Sequence, residues 1–333
     1  MNFIMMQKAR TLRPPDAARR ALGMLVILLG CGVASGGWEP PNPYRWMYAV
    51  GEDNQLYSRD RNIAGSLFEP ILGYQAPAGE VIVGMDFSDS GAVWHLLSKS
   101  GKVYATEPGI GLVQLGGSAP VALQGESFGF DRDGDGLYVT TSAGQSLRFG
   151  LTSHTWSVRP SPVHNNGTPA LLGGLAVFDG RGADRFIGLD LTDGTIVHFN
   201  PDAPGSFTPV EPEGPAQYFG PSGMEPLPLS GSVVAGFDAI LHTPAYQLFP
   251  PPDFWFGGVA LNNPNFTNTR LFEFHKTYPY QATGINFVPG VDMIAHGNPS
   301  LRFTAIAFSP TPGTAALFGA GLLLGVRRRR WVT

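Results

Sequence analysis

Between residues 36 and 309 the apolar positions come in short β-branched and aromatic runs, each bounded by Gly, Asp, Asn or Pro. No stretch there keeps an apolar period of 3.6 long enough for a helix, so the pattern predicts short strands joined by turns. Gly (44) and Pro (30) are spread along the chain and punctuate it, which places the fold in the all-β class. Pro-rich patches at 40–43, 201–215, 226–228 and 250–252 read as loops, not domain linkers.

The strand pattern repeats. Gly84-Met85-Asp86-Phe87, Gly91-Ala92-Val93-Trp94 and Gly101-Lys102-Val103-Tyr104 recur as Gly129-Phe130-Asp131, Gly136-Leu137-Tyr138 and Gly144-Gln145-Ser146-Leu147-Arg148, with 45 residues from Asp86 to Asp131. A looser copy runs through Val177-Phe178-Asp179 and Gly194-Thr195-Ile196-Val197, and weaker ones start at Gly236-Phe237-Asp238 and Gly284-Ile285-Asn286-Phe287. A period in the forties built of strand-turn-strand units marks propeller blades, small sheets that bury their faces only by packing radially. Tyr48-Ala49-Val50 with Gln55-Leu56-Tyr57 would begin the first blade, and 301–308 would close the ring. The spacing predicts about six blades of four strands.

The two ends of the chain follow a different logic. Lys8, Arg10, Arg13, Arg19 and Arg20 precede an apolar stretch at 21–30 and the small residues Val33-Ala34-Ser35. That is the order of a secretory signal, with cleavage between Ser35 and Gly36. Cys31, the only cysteine, sits in Leu28-Leu29-Gly30-Cys31, a candidate lipidation box. No disulfide framework is available, so stability must come from a packed core. At the other end Ser309-Pro310-Thr311-Pro312-Gly313-Thr314 leads into an apolar run at 315–326, followed by Arg327, Arg328, Arg329 and Arg330. Arginines placed after an apolar segment stay cytoplasmic and leave the body of the chain outside. Twelve helical residues reach only about 18 Å, short of a hydrocarbon core of about 30 Å, so the segment is a marginal anchor. A buried terminal strand or helix with a basic end is the alternative, though Gly319, Gly321 and Gly325 suit membrane packing better. The chain thus divides into a signal peptide (1–35), a propeller-like domain (36–309) and a C-terminal anchor segment (310–333), with a helix expected in each terminal piece.

Setting both ends aside changes the charge. Residues 36–309 hold 13 basic and 25 acidic side chains, a net charge of −12. Such a surface lacks the basic footprint that nucleic acid and anionic lipid require.

The C-terminal arrangement of Pro310-Thr311-Pro312, apolar run and arginine cluster resembles the PEP-CTERM sorting signal, with Thr311 where the family usually carries Glu. That resemblance implies processing by an exosortase-like membrane protease, after handling by the export machinery, and delivery toward a cell surface with exopolysaccharide as a partner. The stretch from Val81 to about Gly150 resembles a bacterial propeller-like family of unknown function through Gly129-Phe130-Asp131, Gly136-Leu137-Tyr138 and Gly144-Gln145-Ser146-Leu147-Arg148. It implies export and a repeat fold, and supplies no catalytic residues.

Four patterns bear on chemistry. Gly125-Glu126-Ser127-Phe128-Gly129 fits the nucleophile elbow, but the residues after it read as a strand and turn where that motif needs a helix. Asp131, Asp133 and Asp135 alternate as Ca²⁺ ligands would, yet the twelfth position, where an EF-hand carries Glu, is Ser142. The repeat aligns this segment with others poorer in acids, so a hairpin turn is expected there. His95, His154, His164, His198, His242, His275 and His296 show no metal-ligand spacing. Phe249, Phe254, Trp255 and Phe256 flank a Pro-rich loop and would either pack between blades or stack on sugar rings. Together these readings give an exported protein of the envelope or matrix with a structural or binding role, without catalytic residues or a required cofactor. The alternatives are a calcium-dependent adhesin or polysaccharide-binding module, and an envelope hydrolase or lyase acting at the propeller axis.

Overall fold

The computed structural model describes residues 46–308, apart from 62, 64, 88–92, 108–110, 178–185, 203–207, 243–252, 279–284 and 288. The signal peptide, Cys31, Ser35, Gly36 and the whole C-terminal segment with Pro310, Thr311, Pro312 and the four arginines lie outside the described residues. Among the described residues there is no helix.

Twenty-three strands build five blades. Blade 1 holds β1 (Trp46–Gly51), β2 (Gln55–Asp60) and β3 (Glu69–Gln75), and blade 2 holds β4 (Ile82–Phe87), β5 (Trp94–Ser98), β6 (Val103–Glu107) and β7 (Gly111–Leu115). Blade 3 consists of β8 (Phe128–Asp133), β9 (Gly136–Thr141), β10 (Ser146–Gly150) and β11 (Thr155–Val158). After a short β12 (Pro162–Val163), blade 4 runs through β13 (Leu172–Val177), β14 (Phe186–Asp190), β15 (Thr195–Phe199) and β16 (Thr208–Gly220). Blade 5 takes β17 (Gly223–Pro226), β18 (Val233–His242), β19 (Asp253–Asn262), β20 (Arg270–Tyr278), β21 (Ile285–Phe287) and β22 (Val291–Asp292). The last strand, β23 (Phe303–Phe308), returns to blade 1 and pairs antiparallel with β1, Met47 opposite Phe308.

β23, β4, β8, β13 and β18 are the innermost strands, each packed against the next, and β18 against β23 completes the ring. Five apolar cores separate the blades, for example Tyr48, Val50, Ile82 and Met85 between blades 1 and 2, and Met47, Ala260, Phe303 and Phe308 between blades 5 and 1. Both faces of each blade are therefore buried, and Phe68, Phe149, Phe186, Phe274, Phe287, Phe303 and Phe308 are almost wholly enclosed. Burying a Phe side chain contributes about 1.5–3 kcal/mol, so these interfaces hold the ring without any staple.

The blade count is five, not the six expected from spacing. The residues of the missing blade went into longer strands. β18 and β19 have ten residues each, and β16 has thirteen. β16 crosses what reads as a Pro-rich loop. Its first half is the outer strand of blade 4, and its second half pairs parallel with β21 of blade 5. Past its short pairing with β12 at Thr208 and Pro209, the strand leaves one row of amides unpaired, which tolerates Pro212 and Pro215, and a bulge opposite Ile196 and Val197 takes up the extra residue.

The turn glycines behave as the repeat predicts. Gly101, Gly144 and Gly194 stand at the same inner-blade turn with φ of 78°, 79° and 75°, a conformation that side chains with a Cβ rarely adopt.

Candidate functional site

The inner strands all run the same way, so the propeller has two distinct ends. At the end where they start, β4, β13, β18 and β23 each carry a one-residue bulge at the same level, at Val83, Gly173, Ala235 and Thr304. A bulge bends its strand and re-aims the side chain. Val83, Ala235 and Thr304, with Phe128 at the matching place on the unbulged β8, line a recess of about 260 Å³ on the axis. Its walls are Val81, Val233 and Val234, and its rim carries the exposed Lys99 and Glu126. Asn262 also lines it, held by its own amide bond to the Phe303 carbonyl (2.8 Å) and by the Thr269 hydroxyl (2.6 Å).

One residue deeper the strands close on one another. Gly84, Gly129, Gly174 and Gly236 occupy this level, with Ala305 completing it. A Cβ on Gly84 would stand 2.5 Å from the Cβ of Phe130, and one on Gly236 2.6 Å from Cγ1 of Ile306. The axis here admits only about 10 Å³.

Two residues further on come three carboxylates, Asp86 on β4, Asp131 on β8 and Asp238 on β18. Ala176 and Ala307 fill the same position on β13 and β23. Each aspartate accepts the backbone N–H one residue further along the next inner strand. Asp131 Oδ2 takes that of Val177 (2.5 Å), Asp238 Oδ2 that of Phe308 (2.6 Å), and Asp86 that of Arg132. The carboxylates also accept the N–H that follows each of them, from Phe87, Arg132 (2.6 Å) and Ala239. Five amides around the axis are thus capped by three side chains. Packing strips these acids of water, although Asp86 and Asp238 keep some surface toward the axial gap. Desolvation pushes Asp86 up to about 6 and, with repulsion from Asp86, Asp238 up to about 7. Asp131 is raised well above the carboxylate range by burial and then by both neighbours, and it shares a hydrogen bond with Asp86.

The sequence candidates fall in scattered places. Asp131 is an axial cap inside β8, not part of a turn. The hairpin turn is Gly134-Asp135, where Asp135 Oδ1 accepts the Thr152 N–H (2.8 Å) and hydroxyl (2.6 Å), and Asp133 ends the strand. The three acids therefore face different partners, and among the described residues no group of three or more His, Cys, Asp or Glu is arranged to hold a metal ion. Ser127, the would-be nucleophile, is buried just before β8. Its hydroxyl accepts the Val234 N–H at 2.8 Å, tying β8 to β18 across the axis, and a strand follows it instead of a helix.

His95 lies opposite Asp86 in the β4–β5 ladder, His164 is 2.7 Å from the buried Asp190, and His296 is 2.8 Å from Glu69. His198 belongs to β15, and His154 sits in a turn with φ of 53°. Phe249 and the side chains of His242, Phe254, Trp255, Phe256 and His275 lie outside the described residues. The third repeat is offset from its sequence reading. Gly174-Leu175-Ala176 takes the place of Gly84-Met85-Asp86, and Asp179 lies outside the described residues. Missing from the sequence candidates were Asp86, Asp238 and the recess lining. The Gly-x-Asp repeat is the signal that points to the first two.

No family model matches the sequence, and no curated protein does. Among solved structures the chain is similar to a chain of the nidogen/laminin complex (12% identity, TM-score 0.38, covering 79% of this chain and 97% of that one). It is also similar to U3-55K (8%, TM-score 0.40, covering 80% and 82%) and to Myxococcus xanthus glutaminyl cyclase (10%, TM-score 0.33, covering 74% and 95%). The five-bladed arrangement rests on the ring of inner strands and its five cores.

Proposed function

We propose that the chain is an exported protein of the cell envelope or extracellular matrix with a structural or binding role, not a catalytic one. On this reading it passes through the export machinery, is held in the membrane by its C-terminal segment, and is processed there by an exosortase-like protease. Exopolysaccharide is the partner class that goes with that route. One observation carries the reading: Pro310-Thr311-Pro312, then an apolar run, then Arg327–Arg330 as four consecutive arginines, opposite a basic, apolar and small-residue order at the other end. The fold supports it in one respect. β23 ends at Phe308, so a cut near Pro312 would leave the strand that closes the ring in place.

Mass spectrometry of the protein from its native host tests this. A mature N-terminus at Gly36, or a lipid on Cys31, together with a C-terminus near Pro312 is the expected result. An intact arginine tail would overturn the processing step, and an intact N-terminus on a cytosolic product would overturn export.

A further inference from the structure

We propose that the membrane-anchored form stands with its carboxylate end toward the bilayer and its axial recess facing away from it. The inference rests on the anchoring just proposed, and adds to it a defined orientation.

β23 runs from the recess end, where Thr304 lines the cavity, to the carboxylate end, where Phe308 donates to Asp238. The chain thus leaves the described propeller at the carboxylate end, on the axis side of blade 1. Only residues 309–314 separate Phe308 from the apolar run. Six residues span at most about 20 Å even when fully extended. The propeller is itself about 20 Å deep along its inner strands, at about 3.3 Å per residue for six residues. A tether of that reach keeps the carboxylate end against the bilayer, because turning the molecule over would take it outward past β1, β2 and β3, spaced about 4.8 Å apart, and then along the full depth of the ring. Met47 is the register partner of Phe308, so β1 enters blade 1 beside the point where β23 leaves it.

Among the described residues the membrane-side face then holds the turns at 134–135 and 151–154, and the outward face those at 99–101, 142–145 and 263–269. Among its described residues the first of these faces carries Asp133, Asp135 and Asp202. A ligand arriving from outside meets the recess first.

The full chain, in a Cys31→Ser background, is reconstituted into phosphatidylcholine vesicles containing a nitroxide-headgroup lipid, with one dye-labelled cysteine per variant. Ser153→Cys reports the carboxylate end, and Lys99→Cys and Asn265→Cys report the recess end. All three positions are exposed, and two variants on one face guard against a local folding defect. The expected result is that the protein floats with the vesicles and that quenching at residue 153 exceeds that at 99 and 265 at least threefold. Equal or reversed quenching in floated protein would overturn the orientation while leaving anchoring intact. Protein that fails to float would overturn the anchoring, and the orientation with it.

Discussion

Three inner strands, β4, β8 and β18, carry an aspartate where the other two, β13 and β23, carry an alanine. The backbone amide one residue further on is nonetheless capped in all five. Phe87 and Ala239 are served by the aspartate of their own strand. Val177 and Phe308, whose strands have alanine, are served by the preceding blade, and Arg132 is served by both Asp131 and Asp86. The contrast teaches that the cap belongs to the ring and not to the blade. A carboxylate reaches around the axis in one direction only, so a blade without an acid is supplied by its predecessor. A fourth or fifth acid would add repulsion to a site already short of water.

The sharpest way to break this sharing is Asp238→Ala. It leaves the Phe308 and Ala239 amides without partners in the interior, at the seam where β23 closes the ring. Each orphaned buried donor costs about 1–3 kcal/mol. Denaturant unfolding should show a loss of about 3 kcal/mol; an unchanged midpoint would mean that the seam does not depend on the cap.

The glycine level just above the carboxylates gives the next largest effect. At Gly174 a methyl would run into the side chain of Phe237, whereas blade 1 already accommodates a Cβ at Ala305. Gly174→Ala should destabilise by about 2 kcal/mol through overpacking. The reverse change, Ala305→Gly, should cost about 1 kcal/mol at most. Equal effects would show that the blades do not differ in how closely they approach the axis.

Asp131→Ala should be milder than Asp238→Ala, although Asp131 is the more buried residue. Arg132 keeps its bond to Asp86, Val177 is the one amide that loses its cap, and the lost Asp131–Asp86 hydrogen bond is offset by relief of the repulsion that Asp131 feels from both neighbours. A loss of about 1 kcal/mol is expected from the single orphaned amide less that relief. A loss larger than that of Asp238→Ala would reverse the ranking and point to packing, not capping, as the role of the axial acids.

Much of this architecture was legible in the sequence, and the gaps have physical causes. The 45-residue repeat put Asp86 and Asp131 at equivalent places on β4 and β8, two strands of the same length, although Asp131 lies inside its strand and not in the expected turn. The third copy slipped, because Gly173-Gly174 hides a bulge and Ala176 replaces the acid, which leaves Val177-Phe178-Asp179 as the better visual match. The blade count failed where prolines at 209, 212 and 215 read as loop but sit on an outer strand that tolerates them. The recess had no signal, since its lining comes from bulged positions far apart in the chain. The caps were half visible. An aspartate is a letter in the sequence, whereas the amide that it holds is backbone and has no letter.

The smallest expected effect is the most diagnostic of the carboxylates themselves. Asp86 at about 6 and Asp238 at about 7 lie above the value of about 3.9 of an unfolded aspartate. Between those limits the folded ring holds protons that the unfolded chain has released. The axial contribution to stability is therefore greatest below about pH 4, shrinks as pH rises through 6 and 7, and is gone above the folded values. Carboxylates held low by hydrogen bonds shift in the opposite direction: Glu80 through Lys102, Asp135 through Thr152 and Glu225 through Tyr218. Asp238→Asn removes one ionising group while keeping an acceptor oxygen for Phe308. Between pH 5 and 8 the unfolding midpoint of the wild-type protein should fall more steeply than that of the variant, and comparing the two cancels every group that they share. Parallel pH profiles would show that Asp238 is ionised throughout. The axis would then hold its charge by the five amides alone.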